Sequence, residues 1–189
     1  MLAALRARLE DLSADRALKR ARHATIEPKK NVALASATLA HLERRLASEG
    51  ALALEAERDA ALRVLVARQR ELAAAEERAS RLALEAKCRR AERALAAADA
   101  DAAKRAWAAL AEHAKLRDDA IAHEEERAEA NRRVAAQLTA RAEAGERAVT
   151  LVDAERHERR AQLLRSSLAD EKETIDALQV RLQRFLTGA

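Results

Sequence analysis

Residues that turn, kink or stack are nearly missing from this chain. Its 189 positions hold three glycines, one proline, one tryptophan, one phenylalanine and no tyrosine. Sheets draw on β-branched and aromatic residues, and tight turns draw on Gly, Pro and Asn. The 52 alanines, with Leu, Glu and Arg filling most of the rest, are strong helix formers. The expected fold class is therefore all-α: a long antiparallel helical hairpin, or coiled coil, with an amphipathic N-terminal helix and a C-terminal helix.

Charged residues make up 36% of the chain, and much of its 49% hydrophobic content is alanine, which buries little area. Methyl groups fill a narrow seam between helices better than a thick core. Balanced charge and a regular apolar period separate the chain from disordered polar sequences.

Net charge is only +4, but all of it sits at one end. Residues 1–30 carry eight basic and four acidic groups, whereas the remaining 159 residues hold 28 of each. A duplex-binding protein would spread its basic stripe over the folded surface, so nucleic acid is not the expected partner. The short basic stretch Lys19-Arg20-Ala21-Arg22 lacks interleaved aromatics. Cys88 is the single cysteine, which rules out an intrachain disulfide. No run approaches the ~18 apolar residues needed to span a bilayer, and Arg6, Arg8, Glu10 and Asp11 break any secretory h-region. The expected location is cytoplasmic, or peripheral on the inner face of the plasma membrane.

Leu2, Leu5, Leu9 and Leu12 are spaced to share one helical face. Two readings stand for this segment. The leucines pack on the rest of the protein, or they enter the acyl boundary of an anionic membrane while Arg6, Arg8, Lys19, Arg20 and Arg22 meet the headgroups. The helix should end near Ala24–Pro28, with Thr25 capping the next helix and Pro28 in its first turn.

The tract 96–103 contains no large apolar residue and is the expected turn. A reversal there would bring Gly50 and Gly145 opposite each other as a shared bend. Beyond it, Trp107, Leu110, Ala114, Arg117, Ile121, Glu124, Ala128, Asn131, Ala135, Leu138, Ala142, Gly145, Val149 and Val152 keep a 3/4 stride on one nearly continuous stripe. Asn131 either fixes register or marks a wet edge of the seam. Trp107 either plugs the hairpin tip or serves as an assembly contact. Ser166-Ser167 opens an expected last helix whose stripe includes Leu164, Leu168, Ile175, Leu178, Leu182 and Phe185. Ile175, Leu178, Leu182 and Phe185 either fold back on the hairpin or clasp another subunit. The expected division is 1–27 for the basic helix, 28–96 and 97–165 for the two arms, and 166–189 for the last helix.

Active sites need a pocket with several fixed polar groups, and phosphate loops need glycines that are absent here. Asp119, His123 and Glu126 place carboxylates and an imidazole near one face, but di-metal bundles repeat Glu and Glu-x-x-His pairs over several helices. No catalytic, cofactor-binding or metal-binding residues are expected.

Two local runs, Ala91-Glu92-Arg93-Ala94-Leu95 and Asp101-Ala102-Ala103-Lys104-Arg105-Ala106-Trp107, follow Glu27-Pro28 and the leucine-striped first helix. In this order they resemble the phage shock protein A family, whose relatives include the vesicle-inducing protein in plastids and which is similar to ESCRT-III proteins. Ala102 and Trp107 stand where that pattern has aliphatic residues, and the N-terminal helix lacks its aromatics. The resemblance implies a non-enzymatic protein that self-assembles and binds, coats or remodels the bacterial inner membrane. Composition alone is equally met by a soluble coiled-coil adaptor or spacer that grips a protein partner.

Overall fold

Five helices account for nearly every residue of the computed structural model, which describes residues 2–49, 52–140 and 144–188. Its side chains are described for all of these except 2–11, 52, 138–140, 144–149 and 152. The helices are α1 (Leu2–His23), α2 (Ile26–Glu49), α3 (Leu52–Ala96), α4 (Ala100–Ala140) and α5 (Ala144–Thr187). No strand occurs among the described residues. The fold is all-α with antiparallel hairpin packing.

The chain divides into two compact units, Met1–Ala83 and Leu84–Ala189. In the first, α2 folds back along the early part of α3. Lys29, near the start of α2, pairs with Glu76 at 3.4 Å. Leu39, Leu42, Leu54 and Leu65 are buried there. Pro28 lies in the first turn of α2, where its missing N–H costs no intrahelical bond. Thr25 behaves differently from expectation. Its hydroxyl donates to the Arg22 carbonyl at 2.7 Å and so closes the end of α1 instead of opening α2.

In the second unit α4 and α5 pair along their lengths. The end of α3 joins them in one core of Leu84, Ala91, Ala94, Ala103, Ala106, Leu110, Ile175, Leu178 and Leu182. Four of these nine are alanines, and Ala91 and Ala103 are fully buried. Methyl groups at those heights let backbones approach closely. The turn between α3 and α4 falls where the large-residue stripe lapses. Ala98 takes a positive φ of 50°, and the Asp99 carboxylate accepts the Ala102 N–H at 2.9 Å as the N-cap of α4.

The chain reverses more often than the sequence pattern suggests. The expected arm 28–96 is interrupted between Glu49 and Leu52, and the arm 97–165 between Ala140 and Ala144. Gly50 itself lies outside the described residues, while Gly145 sits in the first turn of α5. Both glycines thus adjoin helix boundaries, and not the middle of a continuous arm, where each would cost about 1 kcal/mol. The boundary expected at 165/166 is absent. Helix α5 runs through Ser166 and Ser167 without a break, because the 3/4 stride continues unshifted from Ala154 to Phe185.

Candidate functional site: the polar seam of α4 and α5, and the basic face of α1

Along α4 the buried side chains are Ala103, Ala106, Leu110, His113, Arg117, Ile121, Glu124, Ala128 and Ala135. From Leu110 to Ala135 this is the stripe expected from sequence, apart from His113 taking the place of Ala114 and Asn131 staying half-buried. The side chains of Leu138, Ala142, Gly145, Val149 and Val152 lie outside the described residues. Facing it on α5 are Ala154, His157, Ala161, Glu171, Ile175, Leu178 and Leu182. Two polar layers interrupt the apolar seam.

The first layer holds three residues that are each less than one-tenth exposed. His113 Nε2 lies 3.2 Å from Glu171 Oε2. Arg117 Nη2 donates to the Ser167 hydroxyl at 2.5 Å and to Glu171 Oε1 at 3.4 Å. An ionised carboxylate only accepts, so His113 carries its proton on Nε2. Burial holds the His113 pKa below the ordinary imidazole value, against the upward pull of the Glu171 hydrogen bond.

The second layer lies about three turns further along α4. His157 Nδ1 donates to Glu124 Oε2 at 2.5 Å, and Arg160 Nε approaches Glu124 Oε1 at 3.1 Å. Arg156 Nη2 donates to His157 Nε2 at 2.7 Å, which fits a neutral ring protonated on Nδ1. Salt bridges Arg132–Glu158 and Arg165–Glu125 flank the seam. These pairs all meet at one antiparallel register. A buried ionic layer is worth little as net stability, but a shift of one turn would strand its charges, so it specifies pairing. Asn131, on the same stripe, is only half-buried.

The residues assigned to assembly face inward. Ile175, Leu178 and Leu182 are 2%, 5% and 0% exposed, and Phe185 packs against the same core. Of the two outcomes open to this stripe, the chain folds it back on itself. Trp107 is 40% exposed, because Ala106 and Leu110 take the inward positions on either side of it.

The residues assigned to membrane binding all lie in α1. The side chains of Leu2, Leu5, Arg6, Arg8 and Leu9 are outside the described residues. Leu12 is 55% exposed, and Lys19, Arg20 and Arg22 are exposed. At 100° per residue, Leu12 shares one side of α1 with Arg16, Lys19 and Arg20. Ala14, Ala17 and Ala21 occupy the other side and are half-buried or buried.

Elsewhere, α2 and α3 border an open groove with Leu34, Ala35, Ala61, Val64 and Arg68 among its walls. Leu34 and Val64 remain 69% and 52% exposed. Asp119, His123 and Glu126 are exposed on α4, and no group of three His, Cys, Asp or Glu side chains among the described residues is placed to hold a metal ion. Cys88 is half-buried, its thiol pKa raised by burial and then by Glu92. No described helix is long and apolar enough to cross a membrane.

Comparison with known proteins adds no relative. No family model matches the chain, and it matches no curated protein and no solved structure.

Proposed function

We propose that this protein is a non-enzymatic, self-assembling helical scaffold that attaches to an anionic membrane surface through α1, on the inner face of a bacterial plasma membrane. The observation that carries this reading is the exposed Leu12 on the basic side of α1, opposite the side of half-buried Ala14 and Ala17 and buried Ala21. Sequence spacing puts Leu2, Leu5 and Leu9 on the Leu12 face, and the chain's whole charge excess lies within its first 30 residues. A leucine moved from water into the acyl boundary contributes about 1.5–3 kcal/mol. One copy of α1 therefore binds weakly, and several copies on an assembly bind firmly through effective concentration. The resemblance to phage shock protein A supports the same reading.

Liposome co-sedimentation tests it directly. The full chain should pellet with vesicles rich in phosphatidylglycerol and not with neutral vesicles. Deletion of residues 1–24, or Leu12→Glu, should reduce the pelleted fraction severalfold. Equal and negligible pelleting of all three proteins would rule out membrane attachment.

A soluble adaptor or spacer is the second reading, favoured by the inward placement of Ile175, Leu178, Leu182 and Phe185. That placement leaves the expected clasp for polymer growth occupied within the chain. On this reading light scattering finds one small oligomer across a hundredfold range of concentration, whereas a self-assembling scaffold grows with concentration.

A further inference from the structure

Two large leucines stand open to water on one flank of the α4–α5 pair. Leu116 is 58% exposed and Leu163 is 65% exposed. Glu125 and Arg165, which bridge the two helices, mark the opposite flank. At 100° per residue, Leu116 lies about 180° around α4 from Glu125, and Leu163 lies about 200° around α5 from Arg165. The register that sets His113 beside Glu171 and Glu124 beside Arg160 brings Leu163 level with Ile121. The two leucines are thus about 7 Å apart along the helices, with half-buried Ala120 between their levels. Exposed leucines scattered singly are ordinary; two on one face form an apolar patch that a partner can cover.

The exposed charges on the same flank say which partner fits. On α4, Glu112 precedes Leu116 and Arg127 follows it. On α5, Arg159 and Asp170 bracket Leu163. All four are exposed, and each lies ~120° or more around its helix from Glu125 or Arg165. Glu112 and Arg127 are equally far from the level between Asp119 and Ala120. Arg159 and Asp170 are equally far from the level between Leu164 and Arg165. The register makes these one and the same level. A two-fold axis crossing the face there turns a second copy end for end and lays α4 on α4 and α5 on α5. Glu112 then meets Arg127 of the second copy, and Asp170 meets Arg159 of the second copy. The four leucines gather within about 5 Å of the axis level along the helices, and Ala120 comes over Ala120 of the second copy. Opposite charges so placed fix register and disfavour displaced pairings. Arg159 also reaches Glu155 at 3.6 Å within its own chain, an exposed pair worth little and easily exchanged.

We propose that the Leu116–Ala120–Leu163 face is a self-association surface, on which a second copy of this chain docks antiparallel about that two-fold axis. The contact closes at two copies. It therefore serves a discrete dimer and the repeating unit of a larger scaffold alike, with or without α1 on a membrane.

Sedimentation equilibrium on the full chain, across a hundredfold range of concentration, is the first test. The wild type should populate a dimer, alone or as the unit of larger species. Leu116→Ser/Leu163→Ser should raise its dissociation constant at least ~100-fold, since each buried leucine contributes a factor of roughly 10 to 100 and each occurs twice. Both positions are exposed, so the variant keeps its fold by circular dichroism. Glu112→Arg should weaken the dimer by ~10-fold, and adding Arg127→Glu should restore it to within about 3-fold, because the charges then trade places. A monomer at every concentration would overturn the proposal. So would an assembly indifferent to the serine and charge variants, which leaves self-assembly standing through another face. Crosslinking gives a second measurement with both leucines intact. In a Cys88→Ala background, Ala120→Cys should join two copies through a short bis-maleimide. Ala122→Cys, near the same level but about 200° around α4, should not. Equal yields at the two positions would also overturn it.

Discussion

Replacing Glu171 by leucine should destabilise the second unit far more than removing its whole polar layer does. The carboxylate is 8% exposed, and it faces Arg117, 6% exposed, and His113, 5% exposed. Glu171→Leu takes away the acceptor at 3.4 Å from Arg117 Nη2 and leaves a buried guanidinium without its counter-charge. Breaking one partner of such a buried pair costs about 3–5 kcal/mol. That is a factor of roughly 10² to 10⁴ in the folding equilibrium, against total stabilities of about 5–15 kcal/mol. The triple variant His113→Leu/Arg117→Leu/Glu171→Leu removes every charge from the layer. It should come within about 1 kcal/mol of the wild type or exceed it, since apolar replacement of a buried ionic cluster is often neutral or stabilising. Urea titration followed by helical circular dichroism distinguishes the two. With a slope of ~1–3 kcal/mol/M, the single variant's midpoint falls by on the order of 1–5 M while the triple variant's stays near the wild type. A single variant indistinguishable from wild type would mean that the layer does not form. A triple variant as unstable as the single would mean that the ionic layer supplies net stability and does more than specify register.

Two core substitutions and one labelling experiment probe the same unit elsewhere. Leu110→Ala empties a fully buried position and should cost about 2–5 kcal/mol in the same titration. Ala103→Leu overfills one of the closest approaches in the seam and should cost about 1–3 kcal/mol, where an exposed alanine such as Ala136 tolerates leucine. Cys88, half-buried with its thiol pKa raised, should react with maleimide severalfold more slowly at pH 7 in the folded protein than in urea.

Much of this fold is legible in the sequence because its determinants are local or periodic. The stride of α4 from Leu110 to Ala135 follows from spacing alone, and so does the turn at Ala97–Asp99, where large apolar residues lapse. Pro28 announces the first turn of α2. What escapes notice are reversals made from helix-forming residues. The break between Ala140 and Ala144 lies within Thr-Ala-Arg-Ala-Glu-Ala-Gly, where only Thr139 and Gly145 depart from good helix propensity. The continuity of α5 is hidden by Ser166-Ser167, which resembles a capping site but sits in an unbroken stride. The polar layers were half visible. Arg117 and Glu124 occupy stripe positions, and that is a signal of buried charge. Their partners His157 and Glu171 come from a helix 33 to 54 residues away, and only an antiparallel register centred near residue 142 brings them together. His113 gave no signal beyond its neighbour Ala114.

The second unit is defined by α5 returning along α4 of the same chain at the register of the two polar layers. Crosslinking of Glu125→Cys/Arg165→Cys in a Cys88→Ala background, with a short bis-maleimide, measures this directly, because those two positions form a salt bridge across the seam. An equal mixture of ¹⁴N- and ¹⁵N-labelled protein identifies which chains are joined. The expected result is linked peptides carrying a single isotope, and none from the displaced control pair Glu125→Cys/Asp176→Cys. Mixed-isotope links, or equal yields from the control pair, would contradict the pairing.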